Sequence, residues 1–444
     1  MKRTPILVVV LPLALSSVAV AVSAPTYAAT TCHGLPVTIQ GTPGATAQGT
    51  PGNDVIDTNG ASTVAAGAGD DTVCVTNSGE LTVLTTDDGN DYVDATQGNK
   101  IAATLGTGSD TYRGGAATDW VTAGTGLAGV PEVGGAVDVD ADDIETGAGA
   151  DLVSSGHDGM PNGDRLVLGD GDDQLYLHGT TAAADSGTGA DQLVPSTDPD
   201  DPALFGLDSR AGVLTREGVA VWSIPGFTDF VLRRFALAGP ATIRGSGADE
   251  EFNLFERPSG GRVDIAAGGG DDNVNIAEGQ VGTLAGQGGR DELRVVSPIA
   301  GSKKARGQLE LRLDRQRATV TTAGRTRHWK ISSFESVTAL GFYRAHAVGT
   351  DKSELIRLGS ACHVTIEGRG GDDTLVRRHS FSCGPGKSGG GDQSDVLRGG
   401  PGNDILIGSS GPDVLLGDSG RDRADGRLGD DRCVAEIRKG CETS

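Results

Sequence analysis

Three scarcities limit what this sequence can be. Aromatic residues make up 4% and hydrophobic residues 36% of the 444 residues, too little apolar mass for one ordinary layered core of that size. After Val22 no apolar run is long enough to cross a bilayer. Basic residues are nearly missing from the first 200 positions, which hold 5 Lys and Arg against 27 Asp and Glu, and the net charge is −23. That acidity excludes nucleic acid and anionic membranes as partners, and it suits cations. Glycine, in contrast, is abundant at 71 residues. So much glycine excludes long helices and favours small repeating units that stack, each burying little.

Lys2 and Arg3 precede an apolar stretch from Ile6 to Val22, and small residues follow. This predicts a secretory signal peptide over residues 1–28, cleaved near Ala28. The expected destination is extracellular, through the general secretory route, with the product released or held at the cell surface by another component. Six cysteines follow: Cys32, Cys74, Cys362, Cys383, Cys433 and Cys441. An even count in an exported chain points to disulfides, with fifteen pairings open. Sequence proximity favours Cys32–Cys74, Cys362–Cys383 and Cys433–Cys441. No CxxC occurs and no histidine clusters with the cysteines, so zinc is excluded.

The end of the chain is periodic. Residues 390–434 divide into five nonapeptides, "GGDQSDVLR", "GGPGNDILI", "GSSGPDVLL", "GDSGRDRAD" and "GRLGDDRCV", with Asp395, Asp404, Asp413, Asp422 and Asp431 at position six. Position eight is mostly a lone aliphatic residue, as in a very short strand with one face inward. Glycines at positions one and four permit tight turns. Carboxylates and carbonyls, with no soft donor, select calcium. One nonapeptide is half a coil, so Asp395, Asp413 and Asp431 are expected on one edge and Asp404 and Asp422 on the other, making three complete sites. Without the ion these carboxylates would repel, and so little apolar surface would not offset chain entropy.

These nonapeptides closely resemble the RTX, or haemolysin-type, calcium-binding repeat. The resemblance implies an all-β fold, a right-handed parallel β-roll or β-solenoid, with several bound Ca2+ ions. It implies no substrate, because such repeats accompany many activities. Half-motifs upstream carry Asp54, Asp71, Asp91, Asp110, Asp151, Asp173 and Asp191. Their spacings are mostly those of one full coil, which predicts one well-formed calcium edge and a degenerate opposite edge. An extra turn at Asp119 and an acidic loop fill the break between Asp110 and Asp151.

Two stretches, 203–237 and 309–342, lose this rhythm for alternating apolar patterns and resemble each other. "WSIPGFTDF" starts at Trp222 and "WKISSFESV" at Trp329. Glu250, Asp272 and Asp291 follow the first; Glu354, Asp373 and Asp395 follow the second. This predicts a duplicated module, a β-hairpin cassette and then three rungs, with Glu250 and Glu354 weak as calcium ligands. The expected boundaries are 29–196, 197–300, 301–389, 390–434 and a disulfide-tied tail at 435–444. Arg312, Arg315, Arg317, Arg325, Arg327 and Lys330 make the second cassette basic, to match the acidic N-terminal half or to form a solvated face.

No HExxH and no G-x-S-x-G elbow occurs, and the seven histidines are scattered. The expected function is a secreted, non-catalytic calcium-binding protein with no catalytic residues. Two other readings stay open. Asp138, Asp140, Asp142, Asp143 and Glu145 could serve an enzyme acting on an extracellular polysaccharide, or the solenoid could be a cell-surface adhesin or spacer.

Overall fold

The computed structural model describes residues 31–125, 138–198, 200–233, 235, 238–255, 262–277, 282–297, 307–378 and 394–442. The expected signal peptide and Cys383 lie outside them. The chain is an all-β parallel solenoid of about 18 turns, and a single 3-10 turn at Leu313–Arg315 is the one helical element among the described residues. No helix there is long and apolar enough to cross a membrane.

Each half-coil contributes one short strand. Its middle residue, two places after the position-six acid, points inward because side chains alternate along a strand. Parallel pairing then stacks these residues in register. One sheet carries the column Ile56, Val73, Val93, Tyr112, Ile144 and Leu166. The other carries Val64, Leu84, Ala103, Val121, Val153, Leu175 and Leu193. All of these are at most 1% exposed. The core is therefore two residue columns wide, which explains how a chain so poor in apolar residues can fold.

Successive strands alternate between the sheets. Sheet one, which includes Val55–Asp57 and Val414–Ser419, has 22 strands; sheet two, which includes Thr63–Ala65 and Arg423–Asp425, has 18. The difference of four comes from the cassettes, two extra strands each. Where a hairpin is expected from the sequence, each cassette is a three-stranded antiparallel meander: Phe205–Asp208, Val213–Arg216 and Val219–Ser223, then Gln308–Arg312, Arg317–Thr322 and Arg325–Ser332. Three strands restore the chain direction, so a cassette can sit inside a parallel sheet.

The meander runs backwards along the solenoid. Its last strand, through Trp222, pairs with the preceding Thr181–Asp185, and its first strand pairs with the following Ala241–Arg244. Sheet two continues uninterrupted from Gln192–Ser196 to Asp229–Val231. Two extra strands add about 10 Å of stacking to one sheet only, and large rings occupy the core there. All nine Phe residues of the chain lie between 205 and 381. Phe205 and Phe235 meet edge to face with centroids 5.9 Å apart, and Phe230 stacks on Phe252 at 5.5 Å. Trp222, Phe227, Trp329, Phe334 and Phe342 are buried alongside.

The basic residues of the second cassette do not reach the acidic N-terminal half. Arg312 and Arg315 pair with Asp314 inside the cassette, where Arg369 also reaches it at 3.3 Å, and Arg317 contacts His328. Arg325 and Lys330 are exposed and Arg327 is half-buried. The reason is register: the cassette is stacked between its neighbours in sequence, far along the axis from residues 31–200.

Candidate metal centre in the stacked turns

The turns lie along two edges. The first edge holds turns that enter sheet one, and the second holds turns that enter sheet two. Asp395, Asp413 and Asp431 precede sheet-one strands, whereas Asp404 and Asp422 precede sheet-two strands.

Each position-six acid is turned into the wall and joined to the next on its edge. On the first edge the backbone N–H of Asp54 donates to Asp71 Oδ1 at 2.7 Å, and the same bond runs from Asp71 to Asp91, Asp91 to Asp110, Asp110 to Asp142 and Asp142 to Asp164. The second edge carries 119–151–173–191, then 250–272–291 closed by Glu335, then 354–373–404–422 closed by Glu436. The first edge resumes from the Val364 amide through Asp395, Asp413 and Asp431 to Glu442. The position-six carboxylates are at most 7% exposed, whereas the closing Glu335 is half-buried and Glu436 and Glu442 are exposed.

The expected single calcium edge is thus corrected. Nine residues, half a coil, separate Asp110 from Asp119, so the ladder through Asp151, Asp173 and Asp191 lies opposite the one through Asp54 to Asp110. Sequence reasoning noted Asp119 only as an extra turn, placed Asp142 in a loop, and missed Asp164, Glu335, Glu436 and Glu442. Asp119 and Asp142 have the same acid–x–aliphatic step as their neighbours, with Val121 and Ile144, and could have been found by it. Glu436 follows Asp422 by fourteen residues, off the period, and gave no such signal.

One oxygen of each acid is used in the ladder; the other decides what the turn can hold. Oδ2 of Asp71, Asp91, Asp110, Asp119, Asp142, Asp151, Asp173, Asp191, Asp272, Asp291, Asp373, Asp404 and Asp422 is buried without a hydrogen-bond partner. Hydroxyls stand beside four of these, Thr86 by Asp91, Tyr112 by Asp119, Thr146 by Asp151 and Ser186 by Asp191. Two of them donate elsewhere, Thr86 to the Leu105 carbonyl and Thr146 to the Leu168 carbonyl. Burial, reinforced by neighbouring carboxylates, pushes Asp91, Asp110, Asp119, Asp173, Asp272 and Asp373 up to about 7 and Asp142 to about 9. A buried anion lacking one partner is costly, and a hard divalent cation supplies what is missing.

Two glycine positions keep that space open. A Cβ on Gly399, at position one, would lie 2.1 Å from Asp404 Oδ2. Gly420, at position four, has φ +143, and its Cβ would meet the Gly402 carbonyl at 1.6 Å. Among the described residues no three His, Cys, Asp or Glu side chains converge on a point. An ion held here takes one carboxylate from a rung and completes its shell from turn carbonyls, an oxygen-only set that fits calcium.

Other expected residues have both oxygens engaged. Asp54 accepts the Thr50 amide at 2.6 Å and its hydroxyl at 2.9 Å, and Asp413 accepts the Ser409 amide at 2.5 Å. Asp395 faces Arg377, a guanidinium only 2% exposed, with Nε 2.5 Å from Oδ2. The same guanidinium donates to the carbonyls of Arg378, Ala361 and Leu358, so a resident cation sits in a shell of oxygens. Asp164 Oδ2 accepts the Ser155 hydroxyl at 2.5 Å.

The second half of the acidic cluster at 138–145 is likewise built into the wall, while Asp138 is half-buried and Asp140 exposed. Asp142 is a ladder member, Asp143 pairs with Arg113 and Arg165 at 2.5 and 2.6 Å, and Glu145 pairs with Arg165 at 2.6 Å. Disulfides join Cys32 to Cys74 and Cys433 to Cys441, with Cα atoms 5.6 and 5.8 Å apart. The first ties the N-terminal hairpin to the second coil, and the second ties the last strand to the tail. Cys362 is buried.

No curated protein matches the chain. The family described as RTX calcium-binding nonapeptide repeat (four copies) matches residues 40–73, 389–423 and 398–433, at both ends of the solenoid. The matched stretches hold Asp54 and Asp71 of the first edge and the turns of both edges from Asp395 to Asp431; the chain thus carries RTX repeats, whose implied ion is calcium.

Proposed function

We propose that this is a secreted, non-catalytic calcium-binding solenoid that becomes ordered when it meets calcium outside the cell. The observation that carries this reading is the set of buried position-six carboxylates left with one oxygen lacking a partner. Calcium there offsets the desolvation of many anions at once, so binding energy becomes folding energy. Extracellular modules of this kind typically bind at ~10⁻⁴–10⁻³ M, which leaves the chain unfolded where calcium is scarce. In the same proposal the chain divides into a leader (1–28), an N-terminal solenoid (29–196), two cassette-and-rung modules (197–300 and 301–389), a regular roll (390–434) and a tail (435–444). Circular dichroism of the secreted chain with calcium and after chelation tests the reading. Loss of the β signal on chelation, restored by calcium, is expected; an unchanged spectrum overturns it.

A further inference from the structure

Most acids of the turns fall into two classes, and the residue at position two, four places before the acid, separates them; Asp119 and Asp142, which follow Gly115 and Asp138, keep an open Oδ2 with position two outside both classes. In four rungs position two is Ser or Thr: Thr50 before Asp54, Ser246 before Glu250, Thr350 before Glu354 and Ser409 before Asp413. In each, its backbone N–H donates to the acid's outer oxygen, at 2.6, 2.6, 3.1 and 2.5 Å. In each, its hydroxyl accepts the N–H two residues on, from Gly52, Ala248, Lys352 and Gly411. That local bond is an ST-turn. It holds the residue outside the left-handed region and aims its amide at the carboxylate.

Besides Arg427, which precedes Asp431, eleven other rungs have position two in the left-handed region. Six are Gly67, Gly106, Gly147, Gly169, Gly187 and Gly268, and Gly400 is a seventh; Asp87, Gln287, Arg369 and Asp418 adopt the same hand with φ from +67 to +83. Their acids are Asp71, Asp110, Asp151, Asp173, Asp191, Asp272, Asp404, Asp91, Asp291, Asp373 and Asp422, and every one has Oδ2 buried without a partner. The two classes do not overlap.

We propose that position two sets the ion loading of each turn: Ser or Thr seals the carboxylate with the chain's own amide and excludes the ion, and a left-handed residue leaves it to a cation. The seal and the ion compete for one oxygen, and an amide dipole already in place leaves the ion no unmet carboxylate to pair with. The sealed rungs Glu250 and Glu354 begin the two ladder segments that follow the cassettes. A ladder restarting after a meander thus starts on a turn that needs no metal. This inference rests on the calcium-binding reading.

Native mass spectrometry of the full secreted chain at saturating calcium counts the ions. Ser409→Gly is expected to gain one ion and Gln287→Ser, at an exposed position before Asp291, to lose one. Asp413→Asn leaves the count unchanged, whereas Asp404→Asn lowers it by at least one. Counts equal to wild type for both Ser409→Gly and Gln287→Ser overturn the proposal, and so does a loss in Asp413→Asn equal to that in Asp404→Asn. Wild-type chain that binds no calcium overturns the calcium reading instead. The seals are then read by hydrogen exchange at saturating calcium, where slow exchange of the Thr50, Ser246, Thr350 and Ser409 amides supports them and fast exchange at all four overturns them.

Discussion

The C-terminal block, residues 394–442, and the N-terminal coils, residues 31–198, reverse the order that their sequences suggest. The C-terminal block follows the nonapeptide most closely and runs ladders on both edges at once. Yet Asp395 is held by Arg377 and Asp413 by the Ser409 amide, which leaves Asp404 and Asp422 with a free buried oxygen. The N-terminal coils are irregular, with spacings that drift, and still present Asp71, Asp91, Asp110, Asp119, Asp142, Asp151, Asp173 and Asp191 in that state. Closeness to a repeat consensus therefore measures regularity of the coil, while readiness for a cation depends on what else reaches each carboxylate.

Removing calcium is the largest test of this contrast. Stepwise chelation is expected to deprotect the N-terminal coils first, while the first edge of the C-terminal block, with Arg377 and Ser409 in place, is the last to lose slow amide exchange. Hydrogen exchange resolved by peptide measures it, and uniform loss along the chain would remove the distinction between the regions.

The next largest effect is pH at limiting calcium, since it acts on several groups together. Asp91, Asp110 and Asp173 are pushed by burial to about 7 from the ordinary 3.8, so the folded chain holds more protons than the unfolded chain between those values. Their contribution to stability is full below about 4 and is lost as pH rises through about 7. Asp404 and Asp431, at about 6, lose theirs over a narrower window. Thermal melts at limiting calcium should show Tm falling from pH 5 to pH 8, more steeply for signals from the N-terminal half, and saturating calcium should flatten the profile.

Single substitutions have smaller effects. Arg377→Met leaves the buried Asp395 carboxylate uncompensated, and breaking a buried pair from one side costs about 3–5 kcal/mol. Denaturant melts at limiting calcium should show that loss, with saturating calcium recovering part of it because the oxygen shell is then open to an ion. Gly420→Ala places a Cβ against the Gly402 carbonyl in a left-handed turn, a strain of about 1–3 kcal/mol. The same change at Gly79, whose Cβ meets nothing within 4 Å, should leave the melt unchanged.

Much of the fold was legible because its causes are local. The step from acid to inward aliphatic, as in Asp404 to Leu406, is two residues long, and the nine-residue half-coil is a property of turn and strand lengths. The alternation of Asp404 and Asp422 against Asp395, Asp413 and Asp431 follows from that period by parity. The cassettes were legible as interruptions through Trp222 and Trp329, although the third strand and the reversed stacking were not, because pairing partners such as Ala182 and Trp222 lie 40 residues apart.

The sequence by itself determined the period, the inward column and the oxygen chemistry of the turns, and it favoured the Cys32–Cys74 and Cys433–Cys441 pairs without fixing them. Only the tertiary structure decided which edge each acid joins, where the ladders stop, and which carboxylates keep an oxygen open. The physical reason is that these properties belong to the stack. The partner of an Asp amide is a carboxylate 11 to 44 residues away, and Arg377 reaches Asp395 across 18 residues. No window around a single nonapeptide contains both ends of such a bond.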